Sequence, residues 1–229
     1  MTATRILLTT LAMLYGSPLA ADEPARPQLS LDGQWQFKLD PQNEGVAGQW
    51  FAMEAKFPDK IMVPGNWQTQ GFGEPRNHLS HDYQGKAWYR RTVTIPSNWA
   101  GKRLWLHFGG VTAVGEVYVN GKHVGSVDHY LTPYEFDITD FAHVGTENVI
   151  SCQVDSKSGC HDPHRDPIVR PGPVGMFNFW GHWGGLYRPV HLEARSDPAI
   201  DTLFVTSNIE QGLARAKVVL KRPVPGRAW

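Results

Sequence analysis

The sequence predicts an all-β sandwich or barrel on three observations. Short runs in which apolar and polar residues alternate recur along the chain. Gly, Pro and Asn punctuate them, and the 3.6-residue period of an amphipathic helix is nearly absent. No fixed repeat length is visible, which argues against a propeller or a solenoid.

The strands follow in order. In Leu31-Asp32-Gly33-Gln34-Trp35-Gln36-Phe37-Lys38-Leu39, Trp35, Phe37 and Leu39 fall on one face. Tyr89, Arg91, Val93 and Ile95 alternate with Arg90, Thr92 and Thr94 until Pro96 ends the run. Leu104, Leu106 and Phe108 repeat the pattern before Gly109-Gly110. Val117 and Val119 lead into Asn120-Gly121, with Val124 beyond; Asn-Gly between alternating runs marks a two-residue hairpin whose central residues take positive φ. Tyr134 to Ile138, Val149 to Val154 and Tyr187 to Ala194 complete the set. Helix is expected only around Trp50 to Phe57 and as a turn at Thr139 to Ala142. Ser196-Asp197-Pro198 reads as a hinge, and two further runs follow it, Ile200 to Ser207 and Leu213 to Lys221. Two strands do not make a sandwich and are marginal alone in water.

Residues 1–20 read as a signal peptide. Arg5 supplies a positive start, Ile6 to Tyr15 are apolar apart from Thr9 and Thr10, Gly16-Ser17-Pro18 breaks the run, and Leu19-Ala20-Ala21 offers small residues for cleavage. An apolar core of about ten residues is too short to span a bilayer and suits export to the periplasm or beyond. No later stretch is apolar enough for a membrane span. About 208 residues remain after cleavage, enough for one large β domain and a piece of another.

The charge balance, 22 basic against 22 acidic residues without a Lys/Arg-rich tract, makes nucleic acid an unsuitable partner, because phosphate neutralisation supplies most of that affinity. Nine Trp are more suggestive: each either fills a β core or stacks on the C–H face of a sugar ring. Ile150, Cys152 and Val154 share a strand face, so Cys152 is expected in the core as an inert thiol. A Cys152–Cys160 bond across a short loop stays open. Asp137 and Asp140 sit at a strand end, where carboxylates bind backbone N–H groups. No Gly-x-Ser-x-Gly, His-Glu-x-x-His or phosphate-cradling motif occurs. His161-Asp162-Pro163-His164-Arg165-Asp166-Pro167 gathers two imidazoles and two carboxylates. It reads as a solvated loop or a sugar-contacting one; its spacing matches no metal site, and no metal or cofactor is expected.

Six segments in order resemble the N-terminal sugar-binding domain of glycoside hydrolase family 2, which includes β-galactosidases, β-glucuronidases and β-mannosidases. They are Leu31-Asp32-Gly33-x-Trp35-x-Phe37; Val63-Pro64-Gly65-Asn66-Trp67-Gln68-x-x-Gly71-Phe72; Trp88-Tyr89-Arg90-Arg91; Val117-Tyr118-Val119-Asn120-Gly121; Phe136-Asp137-Ile138-Thr139-Asp140; and Gly184-Gly185-Leu186-Tyr187-Arg188-Pro189-Val190. The resemblance implies a jelly-roll β-sandwich over residues 26–196, followed at 198–229 by the first strands of an incomplete immunoglobulin-like sandwich. It also implies a β-glycoside as partner, with hydrolysis of O-glycosyl bonds by two glutamates on a later (β/α)8 barrel. A barrel needs roughly 250 residues, and the chain stops at Trp229, so the chain alone is expected to be inactive. In β-galactosidases of the family an Asp on this domain's late loop reaches the sugar. Here the equivalent position reads Asn178-Phe179, so Asn178 is left to bind a hydroxyl while Trp180 or Trp183 stacks. Asp162, Asp166, Asn178 and Trp180 are the candidate substrate-binding residues, and no catalytic residue is nominated. The competing reading is a stand-alone carbohydrate-binding or interaction module. A metal-dependent hydrolase is a third, resting only on the His-Asp loop.

Overall fold

The computed structural model describes residues 26–77, 80–112, 114–129, 132–156, 183–196 and 200–220. Fourteen strands alternate with turns: β1 (Gln28–Ser30), β2 (Gly33–Asp40), β3 (Asp59–Val63), β4 (Glu74–Asn77), β5 (Ser80–Asp82), β6 (Lys86–Thr94), β7 (Arg103–Phe108), β8 (Val114–Val119), β9 (Lys122–Val127), β10 (Tyr134–Asp137), β11 (Glu147–Asp155), β12 (Val190–Arg195), β13 (Ile200–Asn208) and β14 (Leu213–Leu220). Among the described residues there is no α-helix, only two short 3₁₀ turns, and no helix long and apolar enough to cross a membrane.

Two antiparallel sheets form the jelly-roll sandwich. One has four strands in the order β1-β12-β7-β10, the other six in the order β3-β2-β6-β11-β8-β9. The alternation read from sequence is the alternation observed: Leu104, Leu106 and Phe108 are buried and the residues between them are half-buried. Trp35, Phe37, Tyr89, Val117, Ile150, Leu192 and their neighbours fill one continuous core between the sheets. Each fully buried large side chain contributes roughly 1.5–3 kcal/mol relative to exposure. Cys152 lies in this core as a free thiol, and burial pushes its pKa well up. The β8–β9 hairpin turns at Asn120 (φ 51°) and Gly121 (φ 78°), as Asn-Gly predicts.

Two boundaries differ from expectation. No helix forms over Trp50–Phe57; residues 45–54 are turns and a bend, because Gln49 takes φ 51° and the backbone bonds mix registers: Gly48 N–H to Glu44, Trp50 N–H to Gly45, Ala52 N–H to Gln49. The last core strand starts at Val190 instead of Tyr187. Pro189 has no N–H for a ladder, and its carbonyl accepts from Gly109 N–H at 2.9 Å.

Among the described residues, β13 and β14 pair with each other and with no other strand, beyond Ser196. Leu203, Phe204 and Val205 are about 60% exposed there (58%, 65% and 61%). This hairpin buries no core of its own.

Candidate functional site

Asp162, Asp166, Asn178 and Trp180 lie in 157–182, outside the described residues, as do Cys160 and the His161–Pro167 stretch. What the structure does show is where that segment leaves and rejoins the sandwich. It leaves from Ser156 at the end of β11 and returns at Trp183.

Both ends are fixed to one rim. Ser156 N–H donates to the Gly85 carbonyl at 3.0 Å, and Gly85 N–H donates to Ser156 Oγ at 3.2 Å. Two residues earlier, the Tyr83 carbonyl accepts from Trp67 Nε1 (3.2 Å) and from Gln68 Nε2 (3.0 Å). The same Gln68 amide accepts Gly184 N–H on its oxygen at 3.0 Å. Gln68 is buried, and its fork bridges Gly184 to Tyr83, two residues before the Gly85 that holds Ser156. The backbone reinforces the clasp: Trp67 N–H to Gly184 O (3.0 Å), Gly65 N–H to Leu186 O (2.8 Å) and Thr112 N–H to Gly185 O (3.0 Å).

The local sequence explains why the clasp closes. The Val63–Pro64 bond is cis and turns the chain out of β3. Asn66 Oδ1 accepts both Thr69 N–H and Thr69 Oγ–H, which winds Gln68–Gln70 into a 3₁₀ turn. Trp67 is fully buried, and a Cβ at Gly184 would lie 1.8 Å from its ring, so only glycine lets the two segments meet. Tyr83 packs edge-on against Trp67, and burial pushes its phenol up to about 12, keeping it a neutral donor to the Lys86 carbonyl at 2.7 Å. Trp183 stands at the rim with 45% of its surface exposed, an aromatic face open to a ligand.

The aromatics beneath the Gly-Gly turn are thus Trp67 and Tyr89. The sequence reading quoted Val63-Pro64-Gly65-Asn66-Trp67-Gln68 as a family mark but missed the role of Gln68. The available signal was a polar residue between two aromatics beside a Gly-Gly pair.

Metal-ligand residue types do meet elsewhere. His107, His191 and Glu193 bring ligand atoms within 4.8 Å of one another on the four-stranded sheet. There Arg195 already donates to His107 Nε2 (3.1 Å), Glu193 Oε1 (2.5 Å) and Glu135 (3.0 Å), and Gln28 donates to Glu193 Oε2 (2.9 Å). The guanidinium would repel a cation, and the network ties β1, β7, β10 and β12 together. Burial pushes the His107 pKa down, with Glu135 opposing. Asp137 behaves as expected: its Oδ1 accepts Thr139 N–H (3.1 Å) and Thr139 Oγ–H (2.6 Å), and its other oxygen pairs with Arg103. These carboxylates are spent on structure, not aimed at a ligand.

Among the described residues the chain is thus an α-helix-free jelly-roll β-sandwich whose rim clasps Ser156 and Gly184, which flank residues 157–182. The model for "Glycosyl hydrolases family 2, sugar binding domain" matches residues 29–195, and the chain belongs to that family. A β-galactosidase from Thermoanaerobacter pseudethanolicus is 36% identical over 139 residues, 60% of this chain and 18% of that one. A β-glucuronidase from Paenibacillus borealis is 26% identical over 219 residues, 88% of this chain and 35% of that one. The apo structure of a Ruminococcus gnavus β-glucuronidase superposes with a TM-score of 0.68 at 26% identity, covering 86% of this chain and 34% of that one. The chain therefore spans about a third or less of these relatives.

Proposed function

We propose that this chain is the sugar-binding part of an exported β-glycosidase and that the 157–182 segment forms one wall of the glycoside site. Asp162, Asp166 and Asn178 bind hydroxyls in this reading, and Trp180 stacks on the ring. The observation that carries it is the clasp of Gln68, Trp67 and Gly184, which fixes the base of that segment. The relatives' β-galactosidase and β-glucuronidase activities support a β-glycoside as ligand. The Arg5 to Ala21 pattern supports export. The exposed β13–β14 hairpin supports a following immunoglobulin-like domain beginning near residue 198.

One wall buries too little ligand to offset lost translational freedom, so a Kd near ~1 mM or weaker is expected for a monosaccharide. NMR titration with methyl β-galactoside and methyl β-glucuronide tests this. Trp180→Ala and Asn178→Ala should each abolish the response. Micromolar binding that survives both substitutions would place the site elsewhere.

A further inference from the structure

Residues 41–58 join β2 to β3 without regular secondary structure. Irregular loops longer than about 12–15 residues in a compact domain are usually either functional or disordered linkers. This one is built to hold a shape. Asp40 accepts Glu44 N–H (2.7 Å), Gly45 N–H (3.0 Å) and the buried Trp88 Nε1 (3.0 Å). Arg90, nearly buried, donates to the Ala52 carbonyl at 3.0 Å and to the Met53 carbonyl. Phe51 stacks on Tyr118 with ring centroids 4.6 Å apart, and Trp50 meets Trp88 and Phe57 edge-on at 6.3 Å each. A Cβ on Gly48 would come within 2.7 Å of Trp50 Nε1, so the glycine leaves the indole its place.

The loop and β2 enclose a cleft of about 330 Å³ walled by Trp50 and Phe57 and edged by Lys38, Gln49, Glu54 and Lys56. That volume is in the range of small-ligand sites. Its charge is one-sided. Lys38 Nζ lies 3.4 Å from the centre of the Trp50 ring, and neither Lys38 nor Lys56 has a carboxylate partner among the described residues. Glu54 is the one acid among the cleft residues, so two lysines against one carboxylate leave it a net positive charge.

We propose that this cleft, lined by Lys38 and residues of the 48–57 loop, is a second carbohydrate site, which takes a saccharide carrying an acidic group. Trp50 offers apolar surface to a pyranose ring over a floor of buried Phe57, Gln49 offers an amide to its hydroxyls, and the two ammonium groups take the acid. A charge-assisted hydrogen bond to an anion is stronger than a half-exposed cation–π contact. Lys38 therefore gains by turning its ammonium from the indole to an anion while its stem keeps covering Trp50.

The test follows the Trp50 indole N–H signal of the whole chain by NMR. The probes are D-glucuronate, D-glucose 6-sulfate, methyl β-D-glucoside, and acetate and sulfate ions alone. An acidic sugar should act at roughly tenfold lower concentration than the neutral sugar or either ion, and the tighter of the two identifies the acidic group. Lys38→Met and Lys56→Gln should each weaken it by roughly tenfold with an unchanged circular-dichroism spectrum. Trp180→Ala should leave it intact, so this site can fail or stand apart from the loop wall. No shift with either acidic sugar at tens of millimolar overturns the proposal. So does an equal response to the neutral sugar or to the bare ions, retention in the double lysine variant, or loss in Trp180→Ala.

Discussion

Gly184→Ala tests the clasp most directly. The new methyl carbon would lie 1.8 Å from Cζ2, 2.2 Å from Cε2 and 2.3 Å from Cη2 of Trp67, a side chain with no exposed surface. Two responses are open to the chain. The indole can shift within a filled core, which costs about 1–3 kcal/mol as overpacking. Alternatively the Gly184 strand can lift off. That breaks Trp67 N–H to Gly184 O and Gly184 N–H to Gln68 Oε1, about 1 kcal/mol each, and leaves the buried Gln68 oxygen unpaired. The two routes converge on about 2–3 kcal/mol. At roughly 2–4 °C per kcal/mol for a chain of this size, Tm should fall by about 4–12 °C. Thermal and denaturant unfolding followed by Trp fluorescence reads both quantities. Because the cause is a clash with one ring, the cost should shrink to under about 1 kcal/mol in a Trp67→Leu background, which vacates the space. An equal cost in both backgrounds, or a Tm within about 1 °C of the parent, would refute the steric account.

Three further outcomes are expected. His107 has a folded pKa below its ordinary 6.5, so the unfolded chain takes the proton more readily; stability is full above that value and falls as pH drops through the folded pKa. Denaturation between pH 7.5 and 5.5 should show a steeper loss for the parent than for His107→Gln, and parallel curves would contradict this. Asn120→Gly keeps the turn geometry but removes the bonds to Phe141 O (2.9 Å), Asn148 Oδ1 (2.8 Å) and Val149 N–H (2.8 Å), so unfolding should cost about 2 kcal/mol less; a change under about 0.5 kcal/mol would show these bonds to be idle. Brief trypsin treatment should cut first at Arg215 or Lys217 in the exposed hairpin, and first cuts within the sandwich would contradict that order.

Period-two alternation made the sandwich legible, because each strand has one face in the core: Trp35 with Phe37, Leu104 with Leu106 and Phe108, Ile150 with Cys152 and Val154. The residues that hold the long loops were far less legible, and the reason is physical. Alternation reports which face is buried, but not what a polar side chain on the other face meets. Asn120 was readable as a turn residue, yet its amide also bonds Phe141, Asn148 and Val149, partners 21 to 29 positions away. Gln68 bonds Tyr83, 15 residues on, and Gly184, 116 residues on. Arg195, His107 and Glu135 meet only because β12, β7 and β10 are neighbours in the sheet. The Lys38–Trp50 cleft needed the same knowledge, since the apolar spacing of Trp50 and Phe57 suggested a helix until Gln49's positive φ turned the chain over the sheet. In each case a polar contact depends on which distant segment lies beside it. The family motifs compensate in part. Val-Pro-Gly-Asn-Trp and Gly-Gly-Leu-Tyr-Arg are separated by more than a hundred residues in the chain, and the structure shows them as two halves of one clasp. Their joint presence in the sequence therefore carries a long-range contact that periodicity could not supply.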